Sequence, residues 1–189
     1  MKLNRVLIIT IISFLLISGC KKSSPIKSDD ITDPNVITFS DENFEDLIRE
    51  ILYKPNGDIT KTNMMQISNL SGYEREISNI DGIEYCENIE NINLRTNQIT
   101  DISGLADLTQ IYRINLWTNQ ITDISSLAGL TNLNELYLGG NQISDVSPLV
   151  QNQGIGSGDM IVISLNPLSE TSLNDYIPQL IARGVEIYY

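Results

Sequence analysis

Thr96-Asn97-Gln98-Ile99-Thr100-Asp101-Ile102 decides the fold, because the stretch returns twice. The copies are Thr118-Asn119-Gln120-Ile121-Thr122-Asp123-Ile124 and Gly140-Asn141-Gln142-Ile143-Ser144-Asp145-Val146, and their asparagines stand 22 residues apart. Apolar residues at set offsets within a fixed short period mark a solenoid. Each repeat is one turn of it, and the apolar side of that turn is buried only against its neighbours.

Three regular coils follow, over 89–110, 111–132 and 133 to about 152. The first turns inward Ile89, Ile92, Leu94, Ile99, Ile102, Leu105 and Leu108, and the next turns Ile111, Ile114, Leu116, Ile121, Ile124, Leu127 and Leu130. The third turns Leu133, Leu136, Leu138, Ile143, Val146 and Leu149 inward. Ile67, Leu70, Ile77, Ile80, Ile83 and Cys86 align as a degenerate first coil, in which Gly72 takes a leucine slot and Arg75 the asparagine slot. Cys86 stands where Leu108 and Leu130 follow, so it reads as a small buried hydrophobe.

The segments around Ile92-Asn93-Leu94 alternate with period two, a strand pattern. One strand per coil predicts a parallel sheet on the concave face, with irregular and 3-10 turns on the convex face. Where each strand bends inward, backbone donors and acceptors lose their sheet partners. An asparagine amide supplies both partners, so Asn97, Asn119, Asn141 and Asn166 read as a structural ladder. Asp101, Asp123 and Asp145 read as side chains bonding the next bend, and Ser103, Ser125 and Ser147 serve the same short turn. The aspartate column lacks the dense ligand spacing of a calcium loop, and no metal site is expected.

The ends of the array need covers. Before it, Phe44, Leu47, Ile48, Ile51 and Leu52 mark one face of a helix, with Ser40 as its N-cap and Phe39 as a staple. A shorter helix from about Thr60 is expected to turn Met64 and Met65 inward. After it, Gln151 to Asp159 breaks the spacing, and Asn166 arrives 25 residues after Asn141, a three-residue insertion. The glycine run 154–158 lacks the Lys-Ser/Thr of a phosphate loop. Leu173, Tyr176, Ile177, Leu180 and Ile181 predict a helix bent or split at Pro178, and Val185 to Tyr189 a closing strand.

These motifs, Asn-Gln-Ile-Thr-Asp-Ile-Ser with a following Leu-x-x-Leu in 22-residue units, resemble the leucine-rich repeats of internalin-like bacterial proteins. The likeness covers roughly 37–189 and implies a complete domain with both caps. The expected organisation is therefore a leader at 1–20, a flexible tether at 21–36, a helical N-terminal cap at 37–66, repeats at 67–152, and a last coil with a helix-strand cap at 153–189. The resemblance implies adhesion, scaffolding or recognition.

The leader has a basic start, an apolar run from Val6 to Ile17, and Ser18-Gly19-Cys20. The run is too short to span a bilayer. Its end, Leu16-Ile17-Ser18-Gly19-Cys20, resembles a bacterial lipobox, which implies that Cys20 is lipidated and holds an exported protein to the cell envelope, at the outer membrane or cell surface.

A net charge of −12 argues against nucleic-acid binding, and the absence of histidine removes the commonest general base and metal ligand. No nucleophile–base arrangement or cofactor motif stands out, so the chain reads as a non-enzymatic monomer without a cofactor. Binding is expected on outward strand-face positions. One column is Tyr73, Arg95, Trp117, Gly139 and Ser164, where Tyr73, Arg95 and Trp117 are placed to stack as a cation–π run. Beside it run Ser71, Asn93, Asn115, Tyr137 and Val162, and then Asn69, Asn91, Arg113 and Glu135. The candidate partner-binding residues are Tyr73, Asn93, Arg95, Arg113, Asn115, Trp117, Glu135 and Tyr137. Five strands offer about 400 Å², half of what a standard interface takes from one partner. The reading is a protein–protein interaction or adhesion module; the alternative is a carbohydrate-binding module with Trp117 and the tyrosines as sugar platforms.

Overall fold

The computed structural model describes residues 33–189; the leader, Cys20 and the tether up to Thr32 lie outside the described residues. Six three-residue strands, β1 (Asn69–Ser71), β2 (Asn91–Asn93), β3 (Arg113–Asn115), β4 (Glu135–Tyr137), β5 (Met160–Val162) and β6 (Glu186–Tyr188), form one parallel sheet in sequence order. Leu70, Ile92, Ile114, Leu136, Ile161 and Ile187 stand in register as its inward row. The convex side is made of 3-10 turns at Ile83–Tyr85, Ser103–Leu105 and Ser125–Gly129, and of helix α3 (Ser147–Gln151) once Pro148 supplies a helix-ready φ. The repeat period thus becomes a leucine-rich repeat solenoid whose core is the stacked apolar rows.

Each asparagine of the repeat sits at the inward bend and works in both directions. The Asn119 Oδ1 accepts the Ile99 N–H of the preceding coil at 3.0 Å, and its Nδ2 donates to Leu94 O and Leu116 O, each at 3.0 Å. Asn97, Asn141 and Asn166 repeat the pattern, accepting from Ile77, Ile121 and Ile143. The bend has a conformational cost. The residue before each asparagine slot takes positive φ: Glu74 (54°), Thr96 (57°), Thr118 (54°), Gly140 (66°) and Leu165 (60°). Only Gly140 is free of the Cβ clash that disfavours this region.

The entry cap plugs the first coil. In α1 (Glu42–Ile51), Leu47 is buried, and its δ-methyl lies 2.4 Å from where a Cβ on Gly72 would stand. Gly72 occupies a leucine slot, so the helix fills the volume that the missing side chain leaves. Burying Leu47 is worth about 2 kcal/mol. Arg75, in the asparagine slot, bonds both carboxylate oxygens of Glu50 on α1, at 2.9 and 2.6 Å. Phe39 meets Phe44 edge to face at 5.9 Å.

Three sequence expectations fail at these ends. Asp41, not Ser40, caps α1: its Oδ1 accepts the Phe44 N–H at 2.9 Å, while Oδ2 accepts from Ser78 N–H, Ser78 Oγ and Asn79 N–H. Ser40 instead donates to Asp81. In α2 (Lys61–Met64), capped by Thr60, Met64 is buried but Met65 is exposed, because one helical turn offers a single inward position. In the exit cap a π-helical turn (Ser172–Tyr176) runs into α4 (Ile177–Ala182), widening the coil just ahead of Pro178. That shift buries Ser172, Ile177 and Leu180 and turns Leu173 and Ile181 outward.

The insertion between β4 and β5 has a buried anchor. Asn152 is fully buried; its Nδ2 donates to Leu127 O and Leu130 O, and its Oδ1 accepts from Gly154. A Cβ on Gly154 would fall 1.9 Å from Thr131 O, so the loop is threaded against backbone where only glycine fits.

Candidate interaction surface

The outward positions of the sheet form three columns. The register aligns Asn69, Asn91, Arg113, Glu135, Met160 and Glu186 in one, and Ser71, Asn93, Asn115, Tyr137, Val162 and Tyr188 in the next. The third lies just past the strand ends, where main-chain bonds still hold the coils in step: Glu74 N–H to Arg95 O, Thr96 N–H to Trp117 O, Thr118 N–H to Gly139 O and Gly140 N–H to Ser164 O. Tyr73, Arg95, Trp117, Gly139 and Ser164 make up that column.

Within it, the Arg95 guanidinium lies over the Tyr73 ring at 5.9 Å from the centroid. The run does not extend to Trp117. The indole leans the other way, across Gly139, where a Cβ would stand 2.6 Å from a ring carbon. Gly139 is buried beneath it and is not itself a recognition position. One coil away, Arg113 covers Tyr137 at 5.6 Å, and its Nε meets the Glu135 carboxylate at 3.2 Å. The Tyr137 hydroxyl donates to the same oxygen, Glu135 Oε2, at 3.1 Å. Arg113, Glu135 and Tyr137 therefore form one closed group spanning β3 and β4.

Tyrosine hydroxyls also engage Glu74, through Tyr73, and Glu186, through Tyr188. The bond to Glu74 holds the Tyr73 phenol above its ordinary pKa, as the bond to Glu186 does for Tyr188; partial burial and then the Glu135 bond do so for Tyr137. Both carboxylates in the strand columns, Glu135 and Glu186, are thus already bonded within the chain.

Between β1 and β3 the face sinks into a depression of about 190 Å³, lined by Asn69, Ser71, Asn91, Asn93, Arg113 and Asn115. The amides at its edge are oriented by the main chain. Asn115 Oδ1 accepts the Trp117 N–H at 3.1 Å and Asn93 Oδ1 accepts the Arg95 N–H at 3.4 Å, so each Nδ2 is left without a bond among the described residues. From β4 onward the surface changes character to Tyr137, Met160, Val162 and Tyr188. Met160, Glu186 and Tyr188 were absent from the columns read off the sequence. Their signal was available: carrying the columns across the insertion at a 25-residue offset reaches Met160 from Glu135.

Elsewhere the polar groups are taken up locally. Asp101, Asp123 and Asp145 each accept the N–H of the serine two residues on at 2.8 Å. Among the described residues no three metal-binding side chains converge. Cys86 is buried, and burial, followed by the charge of Glu84, pushes its thiol up to about 12. An unreactive packing role follows.

A family profile described as Leucine Rich repeats (2 copies) matches residues 113–151. Among solved structures, an internalin (inlF) from Listeria monocytogenes is 31% identical, with a TM-score of 0.66 over 79% of this chain and 48% of that one. Internalin C2 from the same organism is 26% identical, with a TM-score of 0.55 over 79% of this chain and 74% of that one. This chain thus spans about half the length of the first of these internalins (48%). No curated protein matches it significantly. The repeat profile, the sequential parallel sheet and the likeness to both solved structures show a leucine-rich repeat solenoid similar to that of these internalins.

Proposed function

We propose that this chain is an exported, lipid-anchored protein of the bacterial cell envelope that binds a protein partner through its concave face, without catalysis or cofactor. The observation that carries the reading is the strip formed by Tyr73, Arg95, Trp117, Arg113 and Tyr137, five side chains of the types that dominate binding hot spots, brought together on the open sheet. Asn93, Asn115 and Glu135 complete the contact set. Six strands at about 4.8 Å, read over about 17 Å, offer roughly 490 Å², so a single face suits a short segment of a partner or a contact multiplied across many anchored copies. The membrane attachment rests on the lipobox-like Leu16-Ile17-Ser18-Gly19-Cys20.

The sugar-platform reading fares less well, because stacking on a sugar needs an open ring face. Arg95 covers one face of Tyr73, and Arg113 covers one face of Tyr137. Crosslinking on intact cells followed by pull-down tests the reading. A discrete protein captured by wild type and lost with Trp117→Ala is the expected result; capture unchanged by Trp117→Ala, or binding to oligosaccharides alone, refutes it. Radiolabelled lipid incorporated by wild type and not by Cys20→Ala tests the anchor, and label retained in that variant defeats it.

A further inference from the structure

The concave face is not uniform, and the division says what its partner must bring. At the Asn93 and Asn115 edge of the depression the fixed, unbonded groups are donors, whereas Asn69, at its far edge, gives its NH₂ to Ser68 and keeps an acceptor. Asn93 and Asn115 commit their oxygens to main-chain N–H groups, which leaves their NH₂ groups. Arg113 meets Glu135 through Nε, which leaves both terminal nitrogens without a bond among the described residues. The Arg95 guanidinium has no hydrogen bond or ion pair among the described residues, only the Tyr73 ring beneath it. The amide orientation is not an arbitrary choice of oxygen and nitrogen, because reversing Asn115 would point an NH₂ at the Trp117 N–H. The amide donors of Asn93 and Asn115, and an Arg95 guanidinium that no carboxylate meets among the described residues, call for an acceptor from outside, and a charged donor favours a carboxylate over a neutral carbonyl.

The other half of the face limits which carboxylate bearers fit. Past Arg113 the columns turn to Tyr137, Met160 and Val162, with no free donor on the strand positions; the carboxylates flanking Met160 are taken up, Glu135 by Arg113 and Tyr137 and Glu186 by Tyr188. The chain as a whole carries a net charge of −12, which repels a polyanion approaching from solution. A single acid beside apolar residues escapes that repulsion and matches both halves.

We infer that the partner contributes an extended peptide segment with one aspartate or glutamate, seated in the depression lined by Asn93, Asn115 and Arg113 with Arg95 in the adjoining column, and apolar residues lying across Tyr137, Met160 and Val162. This rests on the reading of the concave face as a protein-binding surface and adds to it the chemistry of the segment bound. An acidic oligosaccharide shares the carboxylate but offers no apolar run.

The full chain selecting from a random linear peptide display library is the test. Wild type is expected to enrich one acidic position followed by apolar residues. Changing that acid to its amide in the synthetic peptide should weaken binding at least tenfold. Arg95→Gln on the exposed rim should do the same. Asn115→Asp, which keeps an oxygen for the Trp117 N–H, should abolish selection of acidic peptides and favour lysine or arginine at that position. Peptides without a fixed acidic position, affinity indifferent to the acid-to-amide change, or binding confined to a uronic-acid oligosaccharide overturns the inference. If crosslinked capture on cells depends on Trp117 but is untouched by Asn115→Asp, the protein-binding reading survives and this inference falls. If the peptides behave as expected while no cellular capture depends on Trp117, the peptide chemistry of the face stands and the assignment of Trp117 to the cellular contact falls.

Discussion

Asn119 and Asn115 stand four residues apart on the same coil, and the same substitution in each should give opposite results. In Asn119→Asp the Oδ1 bond from Ile99 N–H survives, but the group that donated to Leu94 O and Leu116 O at 3.0 Å becomes a third oxygen facing two others. Each buried carbonyl that loses its donor costs about 1–3 kcal/mol, so the pair costs about 4 kcal/mol. That is a large part of the roughly 5–15 kcal/mol that holds a domain folded. With a urea m-value of about 2.5 kcal/mol/M, the midpoint should fall by about 1.5 M. Asn115 needs only its oxygen, so Asn115→Asp should move the midpoint by no more than about 0.3 M. Trp117, the single tryptophan, reports the transition by fluorescence from the same coil. The pH dependence adds a second check. The carboxyl introduced at 119 is favoured in its protonated, donating form when folded, so its folded pKa is raised. The deficit against wild type must then shrink as pH falls through that value. Equal midpoints for the two variants, or a deficit that grows toward acid, would refute the assignment of the ladder as the coil's main polar tie.

Thr118→Gly should stabilise the protein by about 0.5–1 kcal/mol, since a β-branched residue at φ 54° gives way to one without a Cβ; thermal melting shows it as a rise in Tm. Gly154→Ala should destabilise by about 3 kcal/mol or more in urea unfolding, because the new methyl meets the Thr131 main chain at 1.9 Å and backbone cannot step aside. Asp41 has its folded pKa lowered: burial raises it, but the bonds from Ser78, Phe44 and Asn79 together outweigh burial. Its contribution is therefore complete above its ordinary value of 3.8 and is lost as pH falls through the lower folded value. Asp41→Asn should cost about 2 kcal/mol at neutral pH and flatten the acid limb of the stability–pH curve; an unchanged limb would count against the cap.

The repeat made much of this readable in advance. A 22-residue period fixes which side chains turn inward, and with them the strands, the columns and the bends. What it hides is any contact made sideways between coils or between distant segments. Gly139 looked like an open position until the Trp117 indole was seen to lie across it; a ring is wider than the spacing between parallel strands. Ser40 and Asp41 are both competent helix caps, and the choice between them is made by Ser78 and Asn79, which no local pattern connects to α1. Asn152 was hidden inside the insertion, where the period that identified the other asparagines is broken. On the face itself, residue types were legible, but which carboxylates were already bonded was not.

The direction of the asparagine ties bears on how such an array changes length. Each asparagine closes the bend of its own coil and holds an N–H of the coil before it, never one that follows. A duplicated unit inserted between two regular coils brings its own tie and receives its successor's, so neither flank needs a compensating substitution. Every added unit widens the concave face by about 80 Å². Reach can be set by copy number while the two end pieces, with Leu47 at one side and Ile177 at the other, stay as they are.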